Sequence, residues 1–291
     1  MITKRRNFKV STGTLYGIAG GVFGIITVGL MIQSQLAPET YPACSERYAN
    51  AGMFALERPA GDLLSAAEVQ SRLAGREWGV LKNIAIKPDQ TPDGKVAMTV
   101  KFAPGGSANR VTREATSGVG FNWQPSYLQK AAAACLSYAV KVPEDFKFGN
   151  GGTLPGLLGK SVNAAGDSPA PFSSRMRWLE GGKLGIQPTT SAQPLGQLIA
   201  LSPNWLRMPQ GQWVSVEQEV ILNTPGAPDG ILRVWIDGKL QLNKTGIQFR
   251  QDNSGFAGAT ADTHYSDGAM GWAPAPKATE IRLSPMIVRW N

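Results

Sequence analysis

Histidine and cysteine are the residues that this sequence has least of. Among its 291 residues there is one histidine, His264, and there are two cysteines, Cys44 and Cys135. One histidine excludes a metal centre built from several imidazoles, and two cysteines exclude a scaffold held by many disulfides. In an oxidising compartment Cys44 and Cys135 would form one long-range bridge, while two separate buried thiols fit the sequence equally well.

The motifs of the common enzyme classes are absent as well. The sequence has no GxSxG, HExxH or CxxC motif and no EF-hand pattern. It is rich in glycine at FGNGGTLPGLLGK, residues 148–160, but these glycines lack the spacing of a phosphate-binding loop. Because glycine and proline weaken both helices and strands, we predict a loop here, at the rim of a cleft. We expect no cofactor, and a structural calcium ion with oxygen ligands stays open.

Charge is missing from a long stretch near the N-terminus. Residues 10–38 contain no charged side chain, and the apolar core at 15–32 follows four cations. Eighteen helical residues span about 27 Å, close to the ~30 Å hydrocarbon layer of a bilayer. The positive-inside rule therefore predicts a cytoplasmic basic tail over residues 1–12, a transmembrane anchor over 13–36, and an extracytoplasmic remainder. The alternative is a cleaved signal peptide and a secreted protein, although the apolar run is longer than usual for one.

The remainder of the chain is only weakly basic. Without residues 1–37 it carries 25 basic and 21 acidic residues, a net charge of +4. This bias is compatible with an acidic polymer as partner, and nothing in the sequence indicates nucleic acid. We predict a linker over residues 37–60 and one folded domain over 61–291.

Strand patterns dominate the predicted domain. The run SAAEVQSRLAG, residues 65–75, is the one helix pattern, with Ser65 and Glu68 spaced as a capping box and Gly75 at its end. Turn signals at TPDG, APDG and IDGK separate short runs that read as strands. The predicted strands are Val80–Ile86, Val96–Phe102, Cys135–Val142, Phe172–Leu179, Trp213–Leu222, Ile231–Ile236, Gly246–Phe249 and Glu280–Trp290. Many short strands with few helices predict an all-β fold, an antiparallel β-sandwich or jelly roll.

Alternation along two of these strands predicts a polar groove. In FSSRMRWLE, Ser173, Arg175 and Arg177 share one side of the strand, and in ILRVWIDGK, Arg233 and Trp235 share one side. Guanidinium groups pair with carboxylates through two hydrogen bonds, and an aromatic face stacks on a sugar ring. These side chains therefore favour an acidic polysaccharide as ligand, although a single arginine is more often a solvated surface cation.

The motifs in their order resemble a known family. The run CLSYAVKVPEDFKFGNGGTLPGLLG, residues 135–159, resembles polysaccharide lyases of family 14 and their relatives, of the alginate-lyase and glucuronan-lyase type. The resemblance continues through FSSRMRW, VILNTPGAPDGILRVWIDG, the pair Phe249–Arg250 and the tail that ends near Val288. It implies a jelly-roll fold and cleavage of uronate polymers by β-elimination.

The resemblance also implies site residues, and the sequence departs from it at the proton carriers. Arg175 would neutralise the uronate carboxylate, with Ser173 beside it. The lysine of the family pattern GGKLPGL is replaced by Thr153, and the expected tyrosine pair is missing from KLGIQP, residues 183–188. His264 and Tyr265, in DTHYSDG, are the candidates to take over proton transfer, with Lys160 and Tyr138 as further replacements.

Two functions therefore stay open at this stage. One is a membrane-anchored lyase in which Arg175, Ser173, His264 and Tyr265 are catalytic. The other is a non-catalytic glycan-binding or envelope protein on the same fold. In both, the predicted substrate-binding residues are Arg177, Thr153, Lys160, Arg233, Trp235 and Arg250.

Overall fold

The computed structural model describes residues 41–73, 77–106, 108–109, 114–160, 171–266 and 271–291. Within these ranges no helix is both long and apolar enough to cross a bilayer. The predicted anchor, residues 13–36, lies outside the described residues, as does Gly75.

Two antiparallel sheets make up the fold. The first sheet has the order β14-β13-β12-β7-β17-β3-β2, and β18 pairs with both β7 and β1. Its strands are β1 (Asn50–Phe54), β2 (Ile84–Thr91), β3 (Gly94–Phe102), β7 (Ala133–Lys141), β12 (Trp213–Ile221), β13 (Gly230–Ile236), β14 (Lys239–Ile247), β17 (Thr279–Leu283) and β18 (Met286–Trp290). The second sheet has the order β11-β10-β9-β8-β15-β6, with β16 also paired to β8. Its strands are β6 (Asn122–Trp123), β8 (Gly151–Lys160), β9 (Phe172–Leu179), β10 (Leu184–Thr190), β11 (Ile199–Ala200), β15 (Gly255–Thr260) and β16 (His264–Tyr265).

Helices are few and short in the described part of the chain. Helix α1 (Ala66–Ser71) begins at Ser65, whose side chain and that of Glu68 form the predicted capping box. Helix α2 (Val80–Asn83) is a single turn. A separate pair of short strands, β4 (Ala108–Asn109) and β5 (Glu114–Ala115), and three short 3-10 helices complete the described elements. The 3-10 helices are Cys44–Glu46, Ser126–Leu128 and Glu180–Gly182. The prediction of an all-β fold with few helices is confirmed.

Most predicted strands are found, with informative errors at their ends. The range Phe172–Leu179 is β9 as predicted, because alternation and flanking turn residues define both ends. The predicted strand Val80–Ile86 is wrong in its first half, which is helix α2. The predicted strand Glu280–Trp290 is two strands, since Ser284 and Pro285 interrupt the ladder and Ser284 Oγ instead accepts the N–H of Ala139. The predicted strand Gly246–Phe249 is wrong, because only its first two residues belong to a strand, at the end of β14.

The predicted linker, residues 37–60, is largely part of the fold. A compact unit begins at Pro42, and β1 pairs along its whole length with β18. Cys44 and Cys135 form a disulfide, with Cα atoms 5.8 Å apart, which joins this segment to β7. The sequence left that bridge open because only the folded chain brings its two ends together.

Most of the Gly-rich stretch 148–160 is a strand rather than the predicted loop. Residues Gly151–Lys160 form β8, which lies between β9 and β15 in the middle of the second sheet, and only residues 148–150 before it lie outside the strand. A bulge at Leu154 and Pro155 turns the Pro155 carbonyl inward, where it accepts hydrogen bonds from Tyr138 and Gln218 of the first sheet. Gly156 is required because a Cβ there would lie 1.7 Å from the Ser174 carbonyl oxygen. Glycine here permits close packing of strands.

The hydrophobic core lies between the two sheets. Alternate residues of β9, Phe172, Met176 and Trp178, are buried in it, as are alternate residues of β7 and β12. The intervening residues of β9, Ser173, Arg175 and Arg177, therefore lie on the outer face of the second sheet, which faces away from the first sheet.

Candidate functional site

The candidate site is a polar cluster on the outer face of the second sheet. Four neighbouring strands position it through direct register pairs: Thr153 on β8 pairs with Arg177 on β9 and with His264 on β16. Arg175 on β9 pairs with Gln187 on β10. Residues directly opposite in an antiparallel pair share a face, so these side chains converge.

Arg175 is the member of the cluster whose guanidinium group is only partly occupied by hydrogen bonds within the described residues. Its Nε donates to Asp262 Oδ2 at 3.0 Å, and its Nη1 donates to Ser173 Oγ. Ser173 in turn lies 2.7 Å, oxygen to oxygen, from Thr189 Oγ1 of β10. Among the described residues Nη2 has no hydrogen-bond partner, and the Arg175 side chain is 19% exposed. This arrangement holds the guanidinium rigidly with one edge available to an incoming carboxylate.

Arg177 is buried, unlike Arg175. It donates to the Gly152 carbonyl, to Gln187 Oε1 at 2.7 Å and to Ser266 Oγ, and its exposure is 1%. Each of the three guanidinium nitrogens already has an acceptor within the protein, so Arg177 has no edge left for a carboxylate of a polymer. The predicted substrate-binding role of Arg177 is therefore replaced by a structural one at the base of the site.

His264 is buried beside these arginines with a defined tautomer. Its Nδ1 lies 2.8 Å from the Tyr265 carbonyl oxygen, which can only accept, so Nδ1 carries the proton. The ring stacks on Trp272, with centroids 4.1 Å apart. No described residue forms a hydrogen bond with Nε2, which is consequently the ring's acceptor nitrogen.

Burial, together with smaller contributions from the positive charges of Arg177 and Arg175, lowers the pKa of His264 to about 4. The Asp262 carboxylate acts in the opposite direction but does not overcome desolvation. His264 is therefore neutral at pH 7, with a basic nitrogen on the same face as Arg175.

Thr153 occupies the position where the family pattern has lysine. It is 1% exposed, and its Oγ1 is a buried hydroxyl without a partner among the described residues. Trp272 Nε1 is likewise unpartnered in the described part of the chain. Buried polar atoms are normally satisfied, so we expect a water molecule or a ligand hydroxyl to bind these two atoms.

The tyrosine candidates point away from the site. Tyr265 lies in the core against Phe102, Phe146 and Trp178, and its hydroxyl donates to the Lys147 carbonyl at 2.6 Å. Tyr138 is also in the core. Burial raises the pKa of both phenols. The prediction of Tyr265 as a proton carrier on the site face does not agree with this placement.

Three predicted substrate-binding residues lie on or beside the first sheet instead. Arg233 Nη1 donates to Glu219 Oε2 at 2.9 Å, and Trp235 is buried on the same side of β13. The Arg250 guanidinium donates hydrogen bonds to two loop carbonyls, those of Asn223 and Ser254. Alternation had assigned each side chain a face of its own strand, but it could not show that β13 and β9 belong to different sheets.

Lys160 is also separated from the cluster. It is exposed at the end of β8 and pairs with Gly255. Seven residues of strand separate it from Thr153, roughly 20 Å at 3.3 Å per residue. It is not a replacement for the missing lysine.

Cation ligands are not gathered at this site. Within the described residues the one group of three potential metal ligands is Cys44, Cys135 and Glu217, and its two cysteines form the disulfide.

Sequence reasoning missed Asp262, Gln187 and Trp272. Asp262 is two residues before His264 in the motif DTHYSDG, so strand alternation could have placed both on one face. Gln187 could have been found in the same way in LGIQP. Trp272 gave no local signal, because its contact with His264 depends on the path of the chain between them.

Comparison with known proteins agrees with this architecture. Residues 90–189 and 198–282 match the sequence profile of the family described as polysaccharide lyase 14. The structure is similar to that of the PL-14 alginate lyase from Aplysia kurodai, with 21% identity, a TM-score of 0.60, and 77% of this chain and 94% of that one covered. It is also similar to the alginate lyase vAL-1 from Chlorella virus, with 19% identity, a TM-score of 0.57, and coverage of 72% and 89%.

A further similar structure is that of the endo-beta-1,4-glucuronan lyase from the fungus Trichoderma reesei, with 10% identity, a TM-score of 0.52, and coverage of 76% and 90%. A search of curated protein sequences gives no match. At such identities the solved structures establish the fold, and the family profile carries the assignment. Its two matched ranges cover more than half of the chain and include Thr153, Arg175 and His264. The chain therefore belongs to the polysaccharide lyase 14 family.

Proposed function

We propose that this protein is a polysaccharide lyase that cleaves a uronate-containing polysaccharide by β-elimination. The observation that carries the proposal is the placement of a neutral, buried His264 on the same face as the open edge of Arg175. β-Elimination needs a cation to neutralise the carboxylate and a base for the proton on the adjacent carbon. In this proposal Arg175 is the cation and His264 is the base, and both lie on the outer face of the second sheet.

In this mechanism Arg175 Nη2 binds the uronate carboxylate, while Asp262 and Ser173 hold the guanidinium in place. His264 Nε2 takes the proton from the carbon next to the carboxylate. The electron pair forms the carbon–carbon double bond as the bond to the bridging oxygen breaks, and the imidazolium returns the proton to that oxygen. A bound carboxylate raises the pKa of His264 from its low value in the free protein, because a nearby anion favours the imidazolium.

The location of the protein is part of the proposal. The charge-free stretch at 10–38 and the preceding cations favour an anchor with the domain outside the cytoplasm, where polysaccharides occur. Secretion after cleavage of a signal peptide is the alternative. Exposing the domain on intact cells to a protease, and following its release, distinguishes a tethered domain from a secreted one.

The second candidate function is binding without cleavage. Thr153 favours it, since the family pattern has a lysine there. The candidate replacements Tyr138 and Tyr265 have their hydroxyls bonded in the core, and Lys160 lies at the far end of β8. Under this alternative the same face holds an acidic polysaccharide intact.

One experiment separates the two functions. The domain from residue 38 onward is incubated with a panel of uronate polymers, with and without calcium, and the unsaturated product is followed by ultraviolet absorbance. A signal that Arg175→Ala abolishes supports the lyase. Binding that Arg175→Ala weakens, with no absorbance change over long incubation, supports the binding protein and contradicts the lyase.

A further inference from the structure

The residues of the loop between β10 and β11, 191–198, lie next to the candidate site, and we name this segment the wall loop. Gln187, which pairs directly with Arg175, donates from Nε2 to the Leu195 carbonyl of the wall loop at 2.8 Å. The loop is therefore attached one strand away from the arginine proposed to hold the carboxylate.

The same glutamine connects the wall loop to buried Arg177. Gln187 Oε1 accepts from Arg177 Nη1 while its amide nitrogen donates to Leu195. Arg177 is fixed in turn by the Gly152 carbonyl and Ser266 Oγ. The result is a chain of hydrogen bonds that runs from the base of the site to the wall loop.

Packing fixes the other end of the loop over β10. Gly185 pairs with Arg177, and a Cβ at Gly185 would lie 2.9 Å from Leu198 Cδ1 and 2.9 Å from the Ile199 carbonyl oxygen. Leu198 consequently lies over the outer face of β10 where glycine leaves space. Gly196, with φ of 67°, brings the loop close to the Pro188 carbonyl.

The wall loop presents apolar side chains to solvent beside a polar site. Leu195 is 72% exposed and Leu198 is 36% exposed, whereas the cluster beneath them is largely buried. Sugar rings have apolar C–H faces, and a polymer bound at Arg175 continues along the face beyond the reacting residue. Exposed leucines held in fixed positions there would contact its neighbouring sugars.

We propose that the wall loop forms one side of the polymer-binding groove, and that Arg177 is a positioning residue that holds it through Gln187. This inference rests on the proposed function, because it takes the outer face of the second sheet as the polymer site. It assigns recognition of the uronate polymer beyond the reacting residue to Leu195 and Leu198.

Two variants release the loop from opposite ends. Gln187→Glu keeps an acceptor for Arg177 but removes the donor to the Leu195 carbonyl. Gly185→Ala displaces Leu198 without changing charge. Gln210→Glu is the matched control, since Gln210 also donates its amide to a main-chain carbonyl, that of Phe146 at 2.9 Å.

We expect Gly185→Ala to raise KM for long polymers about threefold to tenfold, a packing loss equivalent to one hydrogen bond, with kcat within about twofold. Gln187→Glu places a carboxylate beside Arg175, so its readout is hydrogen exchange in the wall loop rather than KM or kcat. Amide hydrogen exchange should quicken in 191–198 and stay unchanged elsewhere. Because the wall contacts sugars beyond the reacting one, the KM rise should be smaller for a trisaccharide. Gln210→Glu should behave like the unmodified protein.

Faster exchange in the wall loop with KM unchanged for long polymers would overturn the proposal, as would a fall in kcat with KM constant. If the unmodified protein cleaves no polymer, the proposed lyase function fails, but the wall is still tested. The dissociation constant for the polymer, from affinity electrophoresis, then replaces KM, and an equal affinity in all variants overturns the inference.

Discussion

On the outer face of the first sheet Arg233 meets Glu219, whereas on the outer face of the second sheet Arg175 meets Asp262. Glu219 is wholly buried and also accepts from Arg47 at 2.6 Å and from Tyr48. Arg175 and Asp262 keep side-chain exposures of 19% and 12%. The two faces look alike in sequence and differ in whether another part of the chain covers them.

The cover on the first sheet is the segment at residues 44–48. Its Cys44 is bonded to Cys135, Ser45 donates twice to Glu217, and Arg47 lies over the Trp235 ring. The guanidinium and aromatic groups expected to bind sugar there are thus occupied within the protein. On the second sheet the corresponding groups are fixed from below and remain partly open above, which is the arrangement a ligand site requires.

The largest difference between the two outer faces should appear when the proposed base is removed. His264→Gln should lower kcat in the ultraviolet assay about 10²- to 10⁴-fold, since that is the usual worth of general acid–base catalysis. The matched control, Glu217→Gln on the first sheet, should leave kcat unchanged. Equal kcat for His264→Gln and the unmodified protein would exclude His264 as the base.

A substitution on the covered face of the first sheet should lower the stability of the protein and leave its activity unchanged. Glu219→Ala leaves Arg47 and Arg233 without their shared carboxylate, and removing one partner of a buried ion pair costs about 3–5 kcal/mol. Urea unfolding should show this loss while kcat per folded molecule stays constant. Asp145→Ala breaks an exposed pair with Lys277 and should cost much less, because solvent screens an exposed ion pair. A Glu219→Ala protein as stable as Asp145→Ala would contradict the role given to this cluster.

Removing the disulfide tests whether it holds residues 44–48 against the first sheet. It closes a sequence separation of 91 residues, so replacing both cysteines by serine should lower the free energy of unfolding by about 2–4 kcal/mol. We expect hydrogen exchange to increase in residues 44–48, with polymer cleavage unchanged. A selective loss of activity at full stability would show that the first sheet takes part in the site.

The contrast between local and long-range contacts also explains how much of the fold could be predicted from the sequence. Strands with regular alternation, such as β9, were predicted with their faces, because side-chain period and flanking turns are local properties. The strand β8 was missed because its glycines reflect neighbours distant in sequence, such as Ser174, whose carbonyl fills the space of a Cβ at Gly156.

The site residues also differ in whether local sequence was enough to predict them. Arg175, Ser173, Thr153 and His264 were found from motifs, and the structure brings them to one face. Placing Arg233 and Trp235 in that groove failed, because sheet membership and the cover from residues 44–48 depend on long-range pairing. Tyr265 could have been excluded, since adjacent residues of a strand point to opposite faces and His264 occupies the outer one.

The dependence of stability on pH should also distinguish the two faces. His264 titrates at about 4 in the folded protein against about 6.5 when unfolded, so between these values the unfolded chain binds more protons. Stability is therefore full above pH 6.5 and falls as the pH drops towards 4, by at most about 3 kcal/mol. Urea unfolding at pH 7, 5.5 and 4.5 should show this component in the unmodified protein and in Glu217→Gln, and lack it in His264→Gln. Parallel pH profiles for all three would mean that His264 is not buried as a neutral imidazole, which would remove the base from the proposed mechanism.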